Sequence, residues 1–169
     1  MSAPSTLLPP DLIAMVAGGV STIVSSSDAA LRPSVMRAVG CTITPDGSTI
    51  TVYLARRQSR QLLLDLAATG RIAVVFSHPS SNRTLQVKAM GVQTRPAQAS
   101  DQPILAHYLS AMEKEIEAVG FPARLTQAML AHQIDDVVAV SFEPSTAFDQ
   151  TPGPRAGEPL AALAEEPRA

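Results

Sequence analysis

The sequence predicts a mainly β domain with helices around it, built as a small antiparallel barrel of six strands. Three observations predict this. Short runs of alternating or wholly apolar residues recur between Val20 and Phe142, a Pro45-Asp46-Gly47-Ser48 turn joins two of them, and the longest helical stripe comes only after the fifth run. Strands that follow one another through tight turns pair antiparallel, so the pattern favours a barrel over a doubly wound parallel sheet.

Residues 1–10 are small, polar and proline-bearing and read as a lead-in. Leu8-Pro9-Pro10-Asp11 opens a helix to about Ala17, which Gly18-Gly19 ends. Val20 to Ser26 alternates as a first strand, with its serines toward solvent or a ligand. Asp28 to Leu31 turns the chain into a second strand, Ser34 to Thr44, carrying Arg37 among Val35, Met36, Val39 and Ile43. The Pro45–Ser48 turn closes an antiparallel hairpin with Thr49 to Ala55, where Ile50, Val52 and Leu54 face one way and Thr49, Thr51 and Tyr53 the other.

A polar loop, Arg56-Arg57-Gln58-Ser59-Arg60-Gln61, then enters a helix. Ser59 stands at the N-cap position, Leu62, Leu63 and Leu66 follow at helical spacing, and Gly70 stops the run. Ile72 to Phe76 is apolar on both faces, as a central strand should be. After the turn Ser77 to Asn82, the fifth strand alternates Thr84, Gln86 and Lys88 against Leu85, Val87 and Ala89. Gln93 to Gln98 is expected to carry the chain out of the sheet. Ser100 or Asp101 caps the longest helix, to about Val119, with an apolar stripe of Ile104, Leu105, Tyr108, Leu109, Met112 and Ile116. Gly120-Phe121-Pro122 breaks it, Ala123 to Ala131 forms a shorter helix, and Val137 to Phe142 is the last strand. Prolines from Pro144 onward argue against regular structure over most of the tail. The organisation is thus a lead-in (1–10), one domain (11–150) and a proline-rich tail (151–169).

At 169 residues, 46% of them hydrophobic, the chain buries a real core, and a charged fraction of only 17% suits a subunit that hides surface in an oligomer. A net charge of −2 gives no global pull toward nucleic acid or anionic membrane, and 4% aromatic residues leave base stacking unsupported. No apolar run is long enough to span a bilayer, and no signal-peptide pattern opens the sequence. The single cysteine, Cys41, lies in an apolar strand, which reads as a buried thiol in a cytoplasmic protein. Walker, dinucleotide-fingerprint, zinc-protease and esterase-elbow motifs are absent. His78, His107 and His132 have no partners at ligand spacing, so no metal site is expected.

The chemistry therefore concentrates in the polar loop. A helix start presents unpaired N–H groups and a positive dipole end, and Arg56, Arg57 and Arg60 around Ser59 make a candidate phosphate cradle. A merely solvated helix start is the competing reading. Arg71, at a strand entry after Gly70, reads as an ordinary surface charge.

On Ser59-Arg60-Gln61 opening a leucine-bearing helix, Arg71 to Phe76, and Leu85-Gln86-Val87 ahead of Gly91, the chain resembles the pyridoxamine 5′-phosphate oxidase-like family, the FMN-binding split barrels. The resemblance covers about Asp11 to Gly91, and the last strand more loosely. It implies a split barrel with FMN as cofactor. Ser59 and Arg60 would contact the flavin phosphate, with Gln61 standing where the family has lysine. Arg32 and Arg37 keep the spacing of the family's second-strand cations, and Gln86 would meet the flavin ring or its side chain. It further implies a homodimer with the flavin between subunits, acting as a flavin-dependent oxidoreductase on a small molecule. Leu54 and Ala55 stand where the family carries threonine or serine, and the chain has no tryptophan, so oxidation of pyridoxamine phosphate itself is not expected. The alternatives are a deazaflavin (F420) reductase, a non-catalytic module binding flavin, haem or another planar ligand, and a vestigial pocket.

Overall fold

Between Arg37 and Gly40 the chain leaves one β-sheet and enters another. Ala38 N–H donates to Thr22 O at 2.9 Å, while the next amide, Val39 N–H, donates to Tyr53 O at 2.8 Å in the other sheet. The computed structural model describes residues 8–160; residues 1–7 of the lead-in and 161–169 of the tail lie outside the described residues.

The strands are β1 (Ser21–Ser27), β2 (Pro33–Arg37), β3 (Gly40–Ile43), β4 (Ile50–Ala55), β5 (Arg71–Ser77), β6 (Thr84–Met90), β7 (Gln93–Pro96), β8 (Val137–Phe142) and β9 (Thr146–Asp149). The helices are α1 (Pro10–Ala17), α2 (Arg60–Thr69), α3 (Gln102–Ala118) and α4 (Ala123–Met129). Five strands form one sheet in the order β2-β1-β5-β6-β9, and four form the other in the order β3-β4-β8-β7. The named strand pairs are all antiparallel.

The mixed antiparallel architecture agrees with the expected class, whereas the expected six-stranded barrel is replaced by two sheets of five and four strands. Three corrections account for the difference. The single strand expected over Ser34–Thr44 is β2 and β3, because the sheet change at Ala38 and Val39 interrupts the ladder. The segment expected to leave the sheet is β7, which pairs with β8 at the sheet edge, where Pro96 is tolerated. The tail carries β9 between Pro144 and Pro152, a short edge strand on β6 that turns Ala147 into the core.

The hairpin at Pro45–Ser48 forms as expected. Gly47 takes φ 71°, a left-handed conformation glycine adopts freely, and Asp46 accepts hydrogen bonds from both the Ser48 N–H and its hydroxyl. The core lies between the sheets: Val24, Val74, Phe76, Leu85 and Val87 from one meet Ile50, Val52, Leu54, Val140 and Phe142 from the other. Cys41 joins this core, and burial pushes its thiol up to about 11, so it is held as an inert protonated side chain.

Apart from its exposed edge strand β7, the four-stranded sheet is covered on both faces. Val39, Tyr53, Ala55, Val137 and Ala139 form a second apolar cluster with Leu105 of α3, which is why β4 is buried almost throughout instead of alternating. Tyr53, read from the sequence as sharing a face with Thr49 and Thr51, is 1% exposed and donates its hydroxyl to Asp101 Oδ1 at 2.9 Å. Asp101 also accepts both Arg95 guanidinium nitrogens, at 2.7 and 2.8 Å, and the Gln98 N–H at 2.8 Å. The cap expected at this helix is therefore a hub that ties β4, β7 and the start of α3 together.

The Arg95 guanidinium holds the Asp101 carboxyl well below the usual carboxylate range, against the opposing effect of burial. Because the folded value is lowered, this stabilisation is present above the unfolded carboxylate value and fades as pH falls toward the folded one. Asp101→Asn should cost about 2 kcal/mol at about pH 7, since buried donors lose their acceptor. Urea unfolding should show the gap between wild type and variant narrowing at about pH 3.

Candidate functional site

Alternation sorts the five-stranded sheet into two faces. Inward residues of β1, β5 and β6 are buried, and the residues between them, on the outward face, are half-buried or exposed. The register sets one row across this outward face: Arg37 opposes Ile23, Ile23 opposes Val75, Val75 opposes Gln86, and Gln86 opposes Phe148. Two of the expected site residues, Arg37 and Gln86, therefore share a row and a face. Three strand spacings separate them, roughly 14 Å. Arg37 Nη1 donates to Ser21 Oγ at 2.9 Å, and Gln86 Oε1 accepts a long hydrogen bond from Gln150 Nε2 at 3.4 Å.

Ser59, Arg60 and Gln61 lie together at the start of α2. The helix begins and ends where the sequence places it, with Gly70 in the left-handed conformation at φ 65°. Ser59 occupies the N-cap position without making the cap bond. Its Oγ is buried and has no hydrogen-bond partner, and its N–H donates back to Ala55 O at 2.9 Å. A buried hydroxyl without a partner costs about 1–3 kcal/mol, so this atom is a candidate ligand contact.

The arginines around it separate into two kinds. Arg57 lies 3.5 Å from Asp136, whereas Arg56 and Arg60 have no carboxylate partner among the described residues. Gln61 turns along its own helix and donates to Asp65 Oδ1 at 2.8 Å; Asp65 Oδ2 accepts Ser34 Oγ of β2 at 2.6 Å. This link fastens the first turns of α2 to the edge strand that carries Arg37.

Arg32 stands apart at the tip of the β1–β2 hairpin. It pairs with Asp28 at 2.7 Å in an exposed contact, and Leu31 beside it takes a left-handed φ of 63°. An exposed pair of this kind contributes little to stability, so Arg32 can exchange Asp28 for another anion at small cost.

The sequence reading overlooked a hollow of about 440 Å³ on the same outward face, lined by Ser25, Ser27, Arg71, Ala73, Lys88 and Met90 among others. Arg71, expected to be an ordinary surface charge, is part of its wall. The signal was the strand alternation itself, which puts Arg71, Ala73, Gln86, Lys88 and Met90 on one side once the pairing of β5 with β6 is known. His78 lies elsewhere, with Nε2 3.4 Å from Glu115 and Nδ1 3.0 Å from Ser81 Oγ.

No protein-family model matches this sequence, and no curated protein matches it. Among solved structures, an F420 reductase superposes with a TM-score of 0.58 at 12% identity, over 83% of this chain and 98% of that one. The HupZ protein of Group A Streptococcus gives 0.54 at 12% identity, over 89% of this chain and 100% of its own. A protein provisionally named a pyridoxamine 5′-phosphate oxidase, from Lactobacillus delbrueckii, gives 0.51 at 12% identity, over 86% and 96% of the two chains. The resemblance read from the sequence thus extends to the fold, which this chain shares with pyridoxamine 5′-phosphate oxidase-like proteins.

Proposed function

We propose that the protein binds FMN and acts as a flavin-dependent oxidoreductase on a small molecule. The observation that carries this reading is the buried, unpartnered Ser59 Oγ at the opening of a ten-residue helix, beside an arginine with no carboxylate partner among the described residues. Helix-end N–H groups, a hydroxyl and a guanidinium together suit a phosphate dianion. Ser59, Arg60 and Gln61 would hold that phosphate, whereas Arg32, at the tip of the β1–β2 hairpin beside the far end of α2, would stand away from it. Arg37 and Gln86 would meet the rest of the cofactor. Arginine serves as a fixed donor fork and glutamine as both donor and acceptor for a ring with a mixed polar edge.

Bound FMN would supply one- and two-electron transfer chemistry. The chain's own residues bind, orient and exclude water. The half-buried outward residues Ile23 and Val75 offer an apolar strip that a second copy would cover, giving a cytoplasmic homodimer with the cofactor at the subunit boundary. The fold shared with an F420 reductase supports a second reading, in which a deazaflavin occupies the same site. A non-catalytic binding module on this fold predicts bound cofactor without turnover.

Titration with FMN and with riboflavin separates phosphate recognition from ring recognition. Arg60→Ala should weaken FMN binding by roughly tenfold to a hundredfold and leave riboflavin unchanged. Equal affinity of variant and wild type for FMN would remove Arg60 from the site. The absorbance of the purified protein should show the two flavin bands, and anaerobic NADH or NADPH should bleach them. A single deazaflavin band would favour the second reading, and a flavin spectrum that neither nucleotide bleaches would favour a binder. Sedimentation should give twice the 17.7 kDa chain mass, and a monomer with bound flavin would refute the shared-site arrangement.

A further inference from the structure

The hollow on the outward face brings two cations together. Arg71 opposes Met90, and Ala73 opposes Lys88, so Arg71 and Lys88 are diagonal neighbours on one face of adjacent strands, roughly 7–8 Å apart at the backbone. Neither has a carboxylate partner among the described residues. Two like charges held side by side repel.

The backbone beneath both cations is anchored. Ser26 Oγ donates to the Arg71 carbonyl at 2.7 Å, Ser145 Oγ to the Lys88 carbonyl at 2.9 Å, and Ser25 Oγ to the Ala73 carbonyl between them at 3.2 Å. These three hydroxyls spend their protons on carbonyls, so the charge in the hollow comes from Arg71 and Lys88. Lys88 Nζ lies 4.9 Å from the centre of the Phe148 ring, which helps hold the ammonium against the sheet. Ala73 and Met90 supply apolar surface, with Met90 67% exposed. A large exposed thioether beside paired cations suits a ligand with an apolar body and an anionic end.

We propose that this hollow binds a small organic oxyanion, a carboxylate or phosphate ester on an apolar body, with Arg71 and Lys88 as its two charge contacts. The proposal does not rest on flavin binding, because none of the residues assigned to FMN lines the hollow.

Phenyl phosphate, benzoate, benzyl alcohol and benzylamine test it on the full chain, by amide chemical-shift titration without FMN and with FMN at saturation. One or both anions should bind at least tenfold more tightly than the alcohol and the amine, shifting Ser25, Ser27, Ala73 and Ala89. Phenyl phosphate alone would assign a phosphate ester, and benzoate alone a carboxylate. Arg71→Ala and Lys88→Met should each lower the anion's affinity about tenfold. Arg124→Ala, on α4, should leave it unchanged, and an unchanged unfolding midpoint shows that each variant folds.

Anions that bind no better than benzyl alcohol, or that bind both Arg71 and Lys88 variants as they bind wild type, would overturn the proposal. So would loss of phenyl phosphate binding in Arg60→Ala with the two hollow variants unaffected, since the phosphate site would then be at α2. Failure of FMN to bind, with phenyl phosphate still held through Arg71 and Lys88, would overturn the flavin reading alone.

Discussion

The structure depends on a change of sheet made within two residues. Because Ala38 N–H is bonded to one sheet and Val39 N–H to the other, the strand that begins beside β1 ends beside β4, and the two sheets must face each other across the core. A slip of one residue here would exchange inward and outward side chains along β2 or β3. The same step fixes which face of the five-stranded sheet turns away from the core, and with it the row from Arg37 to Phe148 and the hollow at Arg71 and Lys88.

The two sheets are used differently. The four-stranded sheet is enclosed except at its edge strand β7, with α3 covering its second face and the Asp101 hub fastening that cover through Tyr53 and Arg95. The five-stranded sheet carries α2 on its inward side, through Ser34, Asp65 and Thr69, and presents serines, cations and small apolar residues outward. A stable enclosed layer supporting an adaptable open one gives rigid positions for polar side chains without spending core residues on them.

Much of this was legible in the sequence. Periodicity located α2 and its glycine stop, the hairpin at Pro45–Ser48, the central strand around Val74 and the inward alternation of Leu85, Val87 and Ala89, because each is a local pattern with one structural solution. What escaped were features set by tertiary pairing. β7 and β9 are four residues each, with proline at or near their ends, and only their partners β8 and β6 make them strands. Tyr53 shares a face with Thr49 and Thr51 in the alternation, and only the packing of α3 shows that this face is covered there. The candidate site was half visible: the arginines around Ser59 could be read from the sequence, but the missing cap bond and the convergence of Arg71 with Lys88 could not, since both depend on how distant segments pack.

The central proposal is that the start of α2 is a phosphate site and that Arg37 and Gln86 of the outward face meet the rest of the cofactor. A crystal structure of the protein with FMN tests this most directly. The phosphate should lie at the first turn of α2, within hydrogen-bond distance of Ser59 Oγ and Arg60, with the ring system reaching Arg37 or Gln86 from one subunit or its partner. A phosphate bound far from α2, with Ser59 Oγ still unpartnered, would contradict the account.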